Sequence, residues 1–459
     1  MSKKFLFDQI DKNESCLKAM AFKIWDDPEG AFNEFKASKL QKEYLADQGF
    51  RIKDVLNAET AFIAEFGEGK PVLAILGEYD ALPGISQKVS AVREAASDCG
   101  YGHGCGHNLL GTGGVGAVIA LKEVMIKENI KGTIRYYGCP AEETLAGKVV
   151  MAREKVFDDV DACISWHPAG MNVVWGCSFL AVNSMKFKFK GVPAHAAAAP
   201  QAGRSALDAV ELMNVGANYL REHVIEKARI HYVITNGGLA PNVVPEDAEV
   251  WYYVRAPKRA DVREISERLI KIAEGATMMT ETTMKLELVA GCYDVVASDV
   301  LGKLMHANME EAGPPKFSEE DYELGKALSA LSTRDAKQKV MSTYFAPDFV
   351  LDKVLCDEII KVEDRGAIMA GSVDSGDVSY IAPFAQITAA TWPVGTAAHT
   401  WIATAASGSG IGMNAMIFAA KTMAGTVYDL LADNTLVDAA KKEFDKSMNG
   451  FKYISPYEE

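Results

Sequence analysis

The chain has 459 residues, too many for one ordinary hydrophobic core, so two domains are expected. With 49% hydrophobic and 24% charged residues, it has the composition of a soluble globular protein. A net charge of −14 argues against nucleic acid or an anionic membrane surface as the main partner, while a local field still leaves room for an anionic small substrate.

At the N-terminus Lys3-Lys4 is followed only by Phe5-Leu6-Phe7 before Asp8, too short an apolar run for a signal peptide. No stretch is expected to span a membrane. The eight cysteines are scattered rather than framed for disulfides, which fits reduced thiols and a cytoplasmic location.

Residues 8 to 48 show helical spacing in Leu17, Met20 and Ile24, then Phe32 and Phe35, then Leu40 and Tyr44. Ala61 to Phe66 reads as a strand. Pro71 to Gly77 is a continuous apolar run, as in a strand buried on both faces, and it runs into Glu78-Tyr79-Asp80-Ala81-Leu82-Pro83. The octet Tyr101-Gly102-His103-Gly104-Cys105-Gly106-His107-Asn108 follows, then a Gly- and Ala-rich buried helix over 109–127. Thr133 to Gly138 is a strand leading into Cys139-Pro140-Ala141-Glu142-Glu143, and 145–155 is a helix. Asp161 to Trp166 is a strand that delivers His167-Pro168. Three strands thus end in ligand-type residues, where open α/β sheets place their ligands.

From Ser184 the pattern changes. Met185-Lys186-Phe187-Lys188-Phe189-Lys190 alternates with period two, as in a half-exposed strand. A helix (205–221), strands (230–234 and 248–255), a helix (261–278) and a strand (282–290) complete a β-α-β-β-α-β order, the ferredoxin-like split unit. Residues 184–294 therefore read as a second domain inserted into a first one built from 1–183 and 295–459. Residues 316–362 are charged, helical and irregular and suggest no role. The segment 371–379 is a loop, and a strand over 385–392 leads to His399 in a Gly-rich loop.

Cys105 and His107 flank a single glycine, so both can reach one soft or borderline divalent ion. Glu142 and Glu143, taken as extended backbone, point opposite ways: one can bind metal while the other moves protons. With His167 and His399 the donors suffice for two metals. Read singly, each histidine is more often a surface or core residue, and an adjacent Glu pair more often a solvated helix start. The repeated placement after apolar strands is what favours a site.

These residues carry a resemblance. The motifs 77–83, 102–108, 140–143, 166–168, 191–196 and 241–245, with His399, resemble the amidohydrolase branch of the dinuclear metallopeptidases related to aminoacylase and bacterial carboxypeptidase. The likeness runs over almost the whole chain and is greatest to the subgroup that cleaves aminobenzoyl-glutamate. Asn108, where many relatives have Asp, fits that subgroup and departs from plant auxin-conjugate hydrolases.

The resemblance implies a mixed-sheet α/β catalytic domain of the phosphorylase/hydrolase-like sandwich type and an inserted ferredoxin-like α+β dimerisation domain. It implies two divalent metal ions per chain, Mn²⁺ or Zn²⁺, held by Cys105, His107, Glu143, His167 and His399. Glu142 is implied as general base and then acid, with Asp80 orienting a ligand from behind. His195 is implied to reach a partner chain's site and steady the oxyanion; by sequence alone it reads as a helix-start residue. Asn242 and Arg255 match substrate-facing positions; Arg255 suits a carboxylate, and reads equally as a strand-surface charge. His103 matches no ligand position.

The expected activity is metal-dependent hydrolysis of the amide between an acyl or aroyl group and an amino acid, with p-aminobenzoyl-glutamate giving p-aminobenzoate and glutamate. A dipeptidase, an N-acyl-amino-acid deacylase and a non-catalytic partner subunit are the alternatives. A homodimer is expected, with a heterodimer with a related subunit as the other arrangement; neither nucleic acid nor membrane is expected as a partner.

Overall fold

A computed structural model describes residues 2–458. They form two compact units. Within those residues, the first takes in the chain up to Ser178 with Val296–Met369 and Asp377–Tyr453; the second takes in Phe179–Val295, Ala370–Gly376 and the chain from Ile454 on.

The first unit is built on a seven-stranded mixed sheet. Its centre is four parallel neighbours in the order Gly132–Cys139, Val72–Glu78, Ala162–Ala169, Phe384–Ala390. Antiparallel strands close both sides: Ala58–Glu68 and Arg51–Val55 beyond the first, Val173–Trp175 beyond the last. Val72–Glu78 and Phe384–Ala390 are buried at every position, which explains their unbroken apolar sequence. Arg51–Val55 is mostly exposed, and its polar sequence carries no strand signal. The helical run expected over 8–48 is two helices, Ser2–Asp26 and Phe35–Asp47. Pro28 stands just beyond the first, where a proline disfavours further helix.

Helix His107–Glu128 packs on Val72–Glu78 and is buried along most of its length. Its glycines allow the approach: a Cβ on Gly111 would lie 2.5 Å from the Glu78 carbonyl oxygen. By length and composition this helix could cross a membrane, contrary to the expectation that no stretch could. Its 18-residue apolar window is 83% buried inside the protein, so its apolarity serves the core. Ser2–Asp26 and Gly410–Ala432 pack against the same helix. The largest apolar cluster joins these helices to the sheet, with Leu17, Leu121, Ile75, Trp166 and Met416 fully or almost fully buried.

The second unit has a four-stranded antiparallel sheet in the order Arg229–Asn236, Asp247–Ala256, Ala181–Lys190, Thr283–Cys292. In chain order this is strand 2-3-1-4, the arrangement of the split β-α-β unit. Met185, Phe187 and Phe189 point into its core with helices Ala206–Leu220 and Arg259–Thr280. Lys186, Lys188 and Lys190 alternate outward, and Lys188 pairs with Glu287 across the sheet.

Candidate metal centre

The central strands deliver side chains at their carboxyl ends, all within the first unit. Val72–Glu78 ends at Glu78, with Asp80 just beyond; Ala162–Ala169 carries His167 within the strand itself. The chain after Gly132–Cys139 turns at Ala141 into a short 3-10 turn, Glu142–Thr144. Glu142 and Glu143 therefore do not lie on extended backbone, yet they still diverge. Glu142 falls with Glu78 and His107, and Glu143 with Cys105 and His399. The turn is flanked by left-handed Ala141 (φ 54°) and Leu145 (φ 58°), conformations that L-residues adopt at a cost. A buried carboxylate from far upstream fastens it: Glu34 Oε1 accepts from Ala141 N at 2.8 Å.

Cys105 precedes the helix start. Gly106 is its N-cap at φ 74°, and His107 its first residue. His399 lies in the loop before helix Trp401–Ser407, also left-handed at φ 61°, its backbone N bonded to Gly104 O at 2.9 Å. That bond ties the distant loop to the octet.

Three groups of donors have ligand atoms all within 4.8 Å of one another: Cys105, His107 and His167; Cys105, Glu143 and His399; Glu78, His107 and Glu142. Cys105 Sγ is 3.4 Å from His167 Nε2, and His399 Nε2 is 3.3 Å from Glu143 Oε2. The histidines are set for metal through Nε2. His107 Nδ1 donates to Asp80 Oδ1 at 2.9 Å, and His167 Nδ1 to the Pro168 carbonyl at 2.8 Å, so that in the neutral imidazole the lone pair is on Nε2. Asp80 Oδ2 also accepts from Glu143 N at 2.9 Å, so one carboxylate positions residues of two donor groups.

Among the described residues, Glu78 Oε2, His107 Nε2 and Glu143 Oε1 are buried without a hydrogen-bond partner. Such orphans are costly unless something else satisfies them. Burial lifts the Cys105 thiol far above its usual range and raises Glu143 to about 8, with Asp80 and Glu78 adding to the rise. Burial would lower His107, but Cys105 and Asp80 outweigh it and raise it well above normal. Burial lowers His167 to about 4, so its imidazole stays neutral. The pocket therefore calls for positive charge, and the mixed S, N and O donors fit divalent cations of the zinc or manganese type.

In the second unit, His195 and Asn242 come together on paired loops: Ala196 N donates to Asn242 O at 3.0 Å, and Val244 N to Ala194 O at 2.9 Å. His195 Nδ1 accepts from Ala197 N and Ala198 N at 3.3 and 3.1 Å, which places its proton on Nε2. Arg255 sits on strand Asp247–Ala256 with its guanidinium 5.4 Å from the Tyr253 ring centre. Its Nε is buried without a hydrogen-bond partner among the described residues. His103 is buried with Nε2 on the Ile24 carbonyl, outside the donor groups. Sequence reasoning gives no individual role to Glu78 or Lys148. Glu78 precedes Asp80 by two residues on a strand end, a signal present in the pattern; Lys148, in a helix start, carries no such signal.

The chain is similar to several known proteins. The peptidase dimerisation domain family matches residues 182–277. The chain is 40% identical over 465 residues to a subunit of the p-aminobenzoyl-glutamate hydrolase of Escherichia coli, covering 99% of this chain and 97% of that protein. It is 27% identical over 454 residues to a mouse Xaa-Arg dipeptidase, covering 95% and 90%. Among solved structures, an aminobenzoyl-glutamate utilization protein from Klebsiella pneumoniae aligns with TM-score 0.62 at 16% identity, covering 92% of this chain and 98% of that one. A dinuclear metal-binding peptidase of the M20 family from Bacillus subtilis aligns with TM-score 0.57 at 18% identity, covering 90% and 98%.

Fold, donor set and relatives together define a metal-dependent amide hydrolase. Its dimerisation-domain match and its full-length likeness fall within one group. The chain belongs to the M20 peptidase family.

Proposed function

We propose that this chain hydrolyses N-aroyl and N-acyl amino acids, with p-aminobenzoyl-glutamate as the favoured substrate. The observation that carries the reading is the pair of donor groups that share Cys105, one with His107 and His167 and one with Glu143 and His399, with the buried Glu142 beside His107. The nearly full-length identity to a relative named for that substrate favours it. So does an aromatic wall: Trp175 lies 5.4 Å from the His167 ring and stacks on Tyr344 at 6.1 Å, a flat surface suited to an aroyl group.

Cys105, His107, Glu143, His167 and His399 would hold two divalent ions, Mn²⁺ or Zn²⁺, which when bound would polarise the scissile carbonyl and lower the pKa of a water. Asp80 orients His107 and holds the Glu143 backbone. Glu142 takes the water's proton and returns it to the leaving amine. His195 Nε2–H, contributed by a second chain, donates to the oxygen that gains charge. Asn242 and Arg255 orient the amino-acid half, Arg255 through its carboxylate. The second unit, over 184–294 by its motif, serves as dimerisation lid; a homodimer is the assembly, with a pairing to a related subunit as the alternative. The reduced cysteines suit the cytoplasm.

The dipeptidase likeness supplies the second reading. A panel of p-aminobenzoyl-glutamate, acetyl-amino acids and dipeptides, assayed with the purified chain after Mn²⁺ or Zn²⁺ loading, decides between them. The highest kcat/KM is expected for p-aminobenzoyl-glutamate. A preference for dipeptides would replace the substrate and keep the chemistry; no hydrolysis of any amide would leave a non-catalytic subunit.

A further inference from the structure

Glu78 stands at the carboxyl end of the central strand Val72–Glu78, with only 7% of its side chain accessible. Its two oxygens have different neighbours. Oε1 lies 2.6 Å from Nζ of Lys148, whose side chain is completely buried. Oε2 lies 3.2 Å from His107 Nε2, and neither of these atoms has a hydrogen-bond partner among the described residues.

A buried ion pair is a poor way to gain stability, because desolvating both charges cancels most of the attraction. One that serves only packing would satisfy both carboxylate oxygens. Here the lysine anchors one oxygen, and the other faces the lone pair of a metal-binding histidine. Two acceptor atoms 3.2 Å apart repel unless a proton or a cation sits between or beside them.

We propose that Glu78 is a further ligand of the metal pair, binding through Oε2 on the His107 side, and that Lys148 is the residue that positions it. This rests on the dinuclear reading above and extends the donor set by one carboxylate. Lys148 compensates one of the several anions the pocket gathers, and it keeps Glu78 from turning away when no ion is bound. Glu78 falls within one donor group with His107 and Glu142, and a carboxylate on the His107 side shifts that position toward harder, higher-coordinate ions, so manganese gains relative to a site of sulfur and nitrogen alone.

The test is metal binding, read apart from turnover. Mn²⁺ and Zn²⁺ titrations by calorimetry, with bound metal counted by mass spectrometry, are made on the full chain, Glu78→Gln and Lys148→Met. The full chain is expected to take up two ions. Glu78→Gln is expected to keep one tightly and to lose the other by about a hundredfold or more, with Mn²⁺ weakened more than Zn²⁺. Lys148→Met, acting through Glu78, should weaken the same ion by about 10–100-fold. Should either single variant fail to fold, the double variant Glu78→Gln/Lys148→Met removes both buried charges together and should match Glu78→Gln in metal uptake. Two ions bound with unchanged affinity in the Glu78 variants would overturn the proposal and leave the dinuclear reading standing. No metal uptake by the unaltered chain would overturn that reading itself.

Discussion

Glu143 and Cys105 show most clearly how a metal pocket is recognised by its discomfort. Burial pushes both toward their protonated forms, Glu143 to about 8. A cation must therefore displace protons to bind, and affinity should rise with pH until these groups ionise unaided. Calorimetric Mn²⁺ titrations in buffers of different ionisation heat should report proton release near neutral pH, and apparent affinity should climb from about pH 6 to about pH 8. A pH-independent affinity without proton release would contradict this. The aromatic wall makes a second prediction at this scale. Tyr344→Ala should raise KM for p-aminobenzoyl-glutamate about tenfold while leaving acetyl-glutamate nearly unchanged, because Tyr344 and Trp175 form the aromatic wall and, of the two substrates, only the aroyl one has a ring to lie against it. Equal losses on both substrates would remove Tyr344 from acyl recognition. Most of these residues were legible in sequence, because Gly and Pro punctuate the motifs that carry them. Glu78 was legible only as an acidic residue ending a buried strand, and Lys148 not at all, because a helical Lys looks ordinary until burial is known.

Among the elements, the helix start at Gly106 does the most to set geometry. Its φ of 74° and the close approach of Pro168 leave no room for a side chain: a Cβ would meet the proline ring at 2.8 Å. Gly106→Ala should cost about 1–3 kcal/mol and displace both Cys105 and His107. Calorimetry should show a Tm lowered by several degrees, with weaker metal uptake; an unchanged Tm would show that the turn has slack. Strand Ala58–Glu68 adds a pH dependence. Burial would raise the Glu65 carboxyl, but Arg135 at 2.7 Å, with Arg51 and Lys53, outweighs it and holds the group at about 2 against an ordinary 4.5. The folded pKa is depressed, so this stabilisation is full above about 4.5 and is lost as pH falls toward 2. Because Arg51 and Lys53 are exposed, Glu65→Gln should cost about 1–2 kcal/mol at pH 7, and less under acid. Denaturant melts at pH 7 and pH 3 measure it; the same cost at both would count against the ion pairs. The buried central strands were plain from their apolar runs. Edge strand Arg51–Val55 was hidden, because its residues face water and only pairing with Ala58–Glu68 makes it a strand.

For the molecule as a whole, the β-α-β-β-α-β order was readable because period-two and period-3.6 patterns alternate cleanly over residues 185–290. The 3-10 turn at Glu142 was not readable, because it follows a left-handed Ala141 whose N–H bonds to Glu34 from another part of the chain. Assembly makes its own prediction. If His195 acts in a second chain's site, mixing inactive Glu142→Gln and His195→Ala proteins should restore activity. Random pairing of the two variants should return about a quarter of the full rate. No recovery after verified exchange of protomers would confine His195 to its own chain or remove it from catalysis.

The central claim is that Glu142 moves the proton at a site whose metal the other donors hold. Its most direct measurement is the rate of amide hydrolysis by Glu142→Gln, taken on protein whose bound metal has been counted. Two ions retained with kcat lowered by about 10²–10⁴-fold is the expected result; full metal with an undiminished rate would contradict proton transfer by Glu142.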